Sequence, residues 1–414
     1  MFQKSAQKND KVKLKKSLNF PLLLFYSTGT ILGLGIYVLM GKIVGEAGTL
    51  APFSFLVAFF IAIFSAFSYS ELSARIPKSG GAVNYVDAAF HRDWFSQIIG
   101  WLLVTSAIIS TATVLNGYVG YVHVFANIPA WIIISAMILI LSGVAAWGIT
   151  QSAATITGIT IIELIGIFLV IILGAENLTQ LPARLSEFVP SWDFGVWKGI
   201  FVGAFLCFFT FIGFEDVVNV AEESKNPQKD MPKAIIGSLV ILTVLYIIVS
   251  VVSILGLSAS ELKSSTAPLA DVLAKKNSSY PLIISAIGLI AVINGVMVQI
   301  VMNSRVLYGM ARKRLAPKIF ARLNPKTRTP VVAIGFSGLI ILVLALLFDL
   351  ESLAKATNYI LLLVFTAVNL SLWVIKKRQP KVKGVRTYPI FVPIIGFFSS
   401  LAILLFQIYS GFFG

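Results

Sequence analysis

The sequence predicts an all-α membrane protein with about eleven transmembrane helices, two of them broken at mid-membrane. Three observations lead there. First, 57% of the 414 residues are hydrophobic and only 12% are charged, where a soluble domain carries about 25% charged residues. Mean hydropathy is +0.89. Second, apolar runs long enough to span a bilayer recur from about residue 20 to the C-terminus, which leaves no room for an independent soluble domain. Third, two of these runs carry glycine and small polar residues at their middle. One reads Leu24-Phe25-Tyr26-Ser27-Thr28-Gly29-Thr30-Ile31-Leu32-Gly33-Leu34-Gly35-Ile36-Tyr37, the other Phe208-Phe209-Thr210-Phe211-Ile212-Gly213-Phe214-Glu215-Asp216. Paired interruptions at equivalent places in two halves of a membrane protein point to a substrate site at the bilayer midplane.

The spans run roughly over 20–42, 48–74, 94–116, 129–148, 153–174, 197–219, 233–257, 280–311, 330–348, 354–375 and 388–412. Residues 1–19 form a basic tail with no cleavable-signal pattern. The interrupted spans are the first and the sixth. That spacing divides the chain into two five-span halves, 20–174 and 197–375, with 388–412 as an additional helix. With the N-terminus in the cytoplasm, the inner segments hold 25 of the 33 Lys and Arg residues and the outer ones seven. This asymmetry satisfies the positive-inside rule and puts the C-terminus outside. It also accounts for the net charge of +15 without nucleic acid, since the basic loops face anionic headgroups at the inner surface of the cell membrane. The single cysteine, Cys207, has no internal disulfide partner.

A helix that stops mid-membrane leaves N–H groups unpaired on one fragment and C=O groups on the other. In hydrocarbon each costs several kcal/mol, so a ligand or water must complete them. Near Gly33-Leu34-Gly35 the break offers N–H donors and a positive helix end to a carboxylate. Carbonyls near Ile31 and from Phe209 to Ile212 suit an ammonium. The small polar residues Thr30 and Thr210 complete the candidate set. Donors on one side and acceptors on the other fit a zwitterionic amino acid. Close helix packing through Gly29, Gly33, Gly35 and Gly213 is the competing reading.

Four segments carry a family resemblance: Gly29-x-x-x-Gly33-x-Gly35-Ile36 with Gly41-Lys42-Ile43-Val44-Gly45; Tyr69-Ser70-Glu71-Leu72-Ser73-Ala74-Arg75-Ile76-Pro77-Lys78-Ser79-Gly80-Gly81-Ala82; Phe211-Ile212-Gly213-Phe214-Glu215 with the run from Glu222 to Pro232; and the run from Asn303 to Arg312 with Asn324-Pro325-Lys326 and Thr329-Pro330. In this order they resemble helices 1, 2, 6 and 8 and their following loops in the amino acid–polyamine–organocation (APC) superfamily. The flavour is that of the cationic amino-acid transporter branch and its prokaryotic relatives. The resemblance implies a five-plus-five inverted-repeat fold of the leucine-transporter type, with alternating access around a site between helices 1, 3, 6, 8 and 10. It implies that Gly33, Leu34 and Gly35 bind a substrate carboxylate and that carbonyls of Ile31, Phe209 and Ile212 hold the amine. Phe209 would cover the substrate, and Glu215 would act in gating. Most members have twelve spans, and Leu34 is bulkier than the Ser or Ala common at its place.

Ionisable residues within spans are functional candidates, because their burial is costly. Glu163 lies mid-span, where relatives place a lysine or sodium. It either carries the coupling proton or stays protonated as a helix-packing acid, and sodium coupling is the alternative to the proton. Glu215 and Asp216 point about 100° apart on a helix, and Glu215 is the one expected to face the site. Arg305 is expected to snorkel to the interface, Glu71 and Arg75 to pair at the inner surface, and Asn294 and Gln299 to join helices. No nucleophile–base set, phosphate-cradling loop, ATP motif or metal-ligand spacing is present in the sequence. The expectation is therefore a secondary amino-acid transporter, not an enzyme, with no cofactor and no metal. An exchanger, or a transporter of polyamines or other organic cations, is the runner-up.

Overall fold

A computed structural model of the chain describes residues 18–33, 35–78, 80–148 and 153–413. Leu34, and all but Leu18 and Asn19 of the basic tail, lie outside the described residues. In chain order the α-helices are α1 (Phe20–Leu32), α2 (Gly35–Ala47), α3 (Ala51–Arg75), α4 (Gly81–Phe90), α5 (Asp93–His123), α6 (Ala130–Trp147), α7 (Ala153–Gly174), α8 (Leu181–Arg184), α9 (Phe194–Phe209), α10 (Phe214–Val217), α11 (Pro227–Gly256), α12 (Ala259–Ser264), α13 (Pro268–Ala274), α14 (Tyr280–Arg312), α15 (Val331–Leu347), α16 (Leu350–Arg378) and α17 (Phe391–Phe413). Among the described residues, nine helical stretches are long and apolar enough to cross a membrane. Two shorter apolar helices, Phe20–Leu32 and Val331–Leu347, accompany them.

The helices start where side chains satisfy orphan N–H groups. Asn19 accepts from the N–H of Leu22 at 3.1 Å, with a proline in the first turn of α1. Asp193 accepts from Gly195 and Val196 at the start of α9. Asp349 accepts from Glu351 and Ser352 at the start of α16. Asp and Asn are strong N-caps, and proline fits the first turn because no helical partner awaits its missing N–H.

The segment from Ser258 to Ser279 is packed against the helices rather than loose. Ser258 and Glu261 form a reciprocal capping box that starts α12. Leu262, Leu269, Ala270 and Leu273 are fully buried. The hairpin of α12 and α13 rests on glycines. A side chain at Gly41 would strike the carbonyl of Leu262, and one at Gly120 the carbonyl of Thr266. Burial of its leucines holds the hairpin across the ends of α2 and α5. The hydrogen bonds from Ser258 and Lys275 hold the Glu261 carboxyl down at about 2.

The expected surface pair of Glu71 and Arg75 is instead buried. Glu71 is fully covered and accepts from Arg75 Nε at 2.9 Å, Lys376 Nζ at 2.8 and 2.9 Å, and the Tyr388 N–H at 2.8 Å. Arg75 also donates to the carbonyls of Gln379 and Pro380. The segment leading into α17 thus folds over the end of α3. A buried carboxylate is tolerated when cations and hydrogen-bond donors fill its lone pairs, and here two cations from two helices do so.

Candidate functional site

Helix α1 stops at Leu32. The next residue, Gly33, has φ +32°, and its N–H reaches the Gly29 carbonyl at 3.4 Å. Helix α2 begins at Gly35. Helix α9 stops at Phe209 and tightens first. Thr210, Phe211 and Ile212 donate to the carbonyls of Cys207, Phe208 and Phe209, three residues back, at 2.9, 3.1 and 3.2 Å. Such bonds satisfy some of the orphan carbonyls of a helix end. Gly213 then turns the chain at φ +122°. A side chain there would strike the carbonyl of Thr30, and one at Gly35 would strike Thr210. The two breaks therefore meet backbone to backbone. The Tyr246 hydroxyl lies 3.4 Å from the Leu32 carbonyl and 3.3 Å from that of Thr210, on both breaks at once.

Around this meeting point lies a cavity of about 90 Å³. It gathers Thr30, Ile31, Gly33, Gly35, Phe209, Ile212 and Glu163, seven of the residues singled out in the sequence. Thr111 and Val114 of α5, and Asn294 and Gln299 of α14, are among the other residues of its wall. Thr210 does not line it. That residue is buried, its hydroxyl donates to the Cys207 carbonyl at 2.7 Å, and its backbone packs on Gly35. The Thr30 hydroxyl likewise donates within its helix, to Tyr26 at 2.6 Å.

The acid facing this cavity from the second break is Asp216, not Glu215. Glu215 turns back and accepts the Gly213 N–H at 2.9 Å. Helical phase is reset at Gly213, so a projection through the break misplaces both acids. Asn294 and Gln299 were expected to join helices, yet neither hydrogen-bonds another helix among the described residues. Asn294 is 7% exposed and its side-chain carbonyl has no partner. An amide beside a glycine, here Gly295, at the middle of a long apolar helix was the available signal.

Glu163 sits on α7, across from α1. Its residue is 1% exposed, and Oε2 has no hydrogen-bond partner. Its backbone carbonyl accepts the Tyr37 hydroxyl at 2.9 Å, and Tyr121 donates in turn to the Tyr37 carbonyl at 2.8 Å. Close approach to the α1–α2 pair comes from Gly29 against Thr160 and Gly166 against the Tyr37 hydroxyl.

A second cavity of about 530 Å³ adjoins the first and shares Ser110, Ile156, Ile212, Asp216, Val298 and Gln299 with it. Glu215, Tyr26, Tyr69, Arg305 and Lys313 line it. Arg305 was expected to snorkel to the lipid interface. It is exposed, and it lines this cavity.

Residues 18–413 match the family model for amino acid permeases. The chain belongs to that family. This permease is 31% identical to the branched-chain amino acid permease BcaP of Bacillus subtilis, over 89% of this chain and 82% of the relative. It is 30% identical to the methylthioribose transporter of the same organism, over 98% and 90%. The mouse cationic amino acid transporter 4 is 30% identical over 88% of the permease, which spans 60% of that relative's length. Among solved structures, MhsT in complex with L-phenylalanine superposes with a TM-score of 0.65, covering 96% of this chain and all of that one, at 16% identity. That likeness gives the permease the leucine-transporter type of fold. The permease is a multi-pass membrane protein.

Proposed function

We propose that this permease is a secondary active transporter. It moves amino acids across the cell membrane by alternating access, with a proton on Glu163 as the coupling ion. The observation that carries the reading is the meeting of two helix breaks around one cavity. Main-chain donors near Gly33 and Gly35 receive the substrate carboxylate, and carbonyls of Ile31 and the turn after Phe209 receive its ammonium. Phe209 covers the bound molecule, and Glu215, tied to the turn at Gly213, moves with the second break as part of the gate. The branched-chain and cationic amino acid transporters among its relatives support the substrate class. The protein is organised as two five-helix repeats, 20–174 and 197–375, with 388–412 added. Its N-terminus is cytoplasmic and its C-terminus outside.

A second reading has its own support. Asp216 and Glu163 both line the small cavity, and among the described residues no Lys or Arg does. Two acids without a basic neighbour suit a polyamine or another organic cation. A ligand series on the purified protein separates the two. Ligand binding to the native state stabilises it by RT ln(1 + [L]/Kd), so thermal shifts rank the twenty L-amino acids, their methyl esters and common polyamines. Free amino acids should stabilise, and their esters, which lack the anionic end, should not. Esters and polyamines matching or exceeding free amino acids would transfer the assignment to organic cations.

A further inference from the structure

The residues shared by the two cavities form a neck between the helix breaks and the wider space. Ile156, Ile212 and Val298 make part of this neck apolar. Ser110, Asp216 and Gln299 supply its polar groups, and among the described residues none of these three side chains makes a hydrogen bond or ion pair. Asp216 and Gln299 are half-buried rather than sealed in the core. An acid in partly apolar surroundings with no partner is costly unless something pairs with it. The neck holds no Lys or Arg among the described residues. Beyond it the charges are mixed, Glu215 and Glu223 with Arg305 and Lys313 on the wall of the larger cavity. The neck is thus where a cation meets an acid and no base.

The position of the neck says which part of a substrate would reach it. A cavity of about 90 Å³ is below the range that takes a whole drug-sized ligand. With the carboxylate and ammonium of an amino acid held at the breaks, a long side chain has to leave the small cavity. Ile212 belongs both to the turn that receives the ammonium and to the neck, so the way out begins beside the α-carbon.

We infer that Asp216 selects for a cationic side chain, so that the amino acid carried has a long apolar stem ending in an ammonium or a guanidinium. The inference rests on the amino-acid reading above and names its substrate class. The stem lies along Ile156, Ile212 and Val298, as the stems of Lys and Arg lie along apolar surface elsewhere in proteins. The head donates to the Asp216 carboxylate in a charge-assisted bond. Ammonium and guanidinium groups carry donors only, and the Gln299 amide oxygen and the Ser110 hydroxyl accept those that Asp216 leaves over. Arg305 and Lys313 disfavour a head that runs on into the larger cavity, so it stops at the neck. A branched apolar side chain would fill the apolar part and leave Asp216 unpaired.

The test uses the full chain in lipid nanodiscs and compares each cationic amino acid with an uncharged molecule of nearly the same shape: L-arginine with L-citrulline, and L-lysine with L-norleucine. The wild type should bind each cation at least about tenfold tighter than its neutral counterpart, as expected for a hydrogen bond to a charged group. Asp216→Asn should bring arginine down to the level of citrulline, and Asp216→Glu should keep the preference. Equal binding of arginine and citrulline by the wild type would overturn the inference even if the variants fail to fold, and would leave the amino-acid reading standing. A parallel loss for arginine and citrulline in Asp216→Asn would place the acid at the α-ammonium and overturn its role in selection. Agmatine and cadaverine, which are arginine and lysine without the carboxylate, should bind poorly. Binding of these two as tight as that of their parents would overturn the amino-acid reading itself, and the selection of a side chain with it.

Discussion

Gly213 lies so close to the carbonyl of Thr30 that no side chain fits between them. That contact joins the two helix breaks and sets the shape of the cavity they share. At φ +122° Gly213 also holds a backbone conformation that L-residues rarely adopt. Gly213→Ala should therefore destabilise the protein by at least about 1–2 kcal/mol from backbone strain alone. Displacement of the Thr30 carbonyl should abolish uptake as well. Thermal unfolding in detergent and uptake in proteoliposomes measure the two effects. A variant with wild-type melting and wild-type uptake would show that the breaks do not depend on this contact.

Glu71 neutralises two buried cations, so its removal leaves both Arg75 and Lys376 without a counter-charge. Breaking a buried ion pair at one end costs about 3–5 kcal/mol. Glu71→Gln should lower the melting temperature strongly. Lys376→Met in the same chain should recover part of the loss, since one stranded cation is then gone. A double variant no more stable than Glu71→Gln would mean that Lys376 is already solvated in the native protein.

These residues show how far the sequence could be read. Apolar runs placed the helices, because bilayer thickness acts on local stretches of chain. Glycines marked the two breaks, because close approach and positive φ exclude side chains. Partners distant in the chain were not legible. Lys376 lies 305 residues from Glu71, and nothing in either neighbourhood names the other. For Arg305 the sequence placed a charge near a helix end but could not show that it lines a cavity with Glu215 and Asp216. Asp216 was passed over for Glu215 because the break restarts the helix, and the phase after it is set in three dimensions.

The hairpin of α12 and α13 should respond to acid. Hydrogen bonds from Ser258 and Lys275 lower the Glu261 carboxyl from 4.5 to about 2. A carboxyl depressed in the folded state stabilises it above the ordinary value and loses that contribution as pH falls through the lowered one. The cap is thus fully effective above pH 4.5 and is lost as the pH falls towards 2. Ser258→Ala removes an N-cap worth about 1 kcal/mol and should loosen the hairpin even at neutral pH. Hydrogen exchange over residues 258–279 reads both effects. Protection that is indifferent to acid and to the variant would show that burial of Leu262 and Leu269, not the cap, holds the hairpin.

Glu163 offers the sharpest separation between transport coupling and mere packing. Its carboxyl is buried with Oε2 unpartnered, on the wall of the helix-break cavity and within one side chain of the α1–α2 pair through Tyr37. An ionised carboxylate in that setting is costly, and a protonated one is tolerated. A proton that binds one access state better than the other shifts the equilibrium between them by that difference in affinity. Glu163→Gln mimics the protonated form at nearly constant shape. It should still bind substrate, because the amide leaves the breaks at Gly33 and Gly213 untouched. It should lose the pH dependence of uptake and the accumulation driven by a pH gradient, while exchange of labelled for unlabelled substrate continues. Sodium coupling predicts a different pattern: wild-type uptake would follow a sodium gradient and ignore collapse of the pH gradient. If the variant keeps the wild-type pH profile, Glu163 is a protonated packing acid, and the coupling group must be sought at Asp216, the other carboxyl on the same cavity wall.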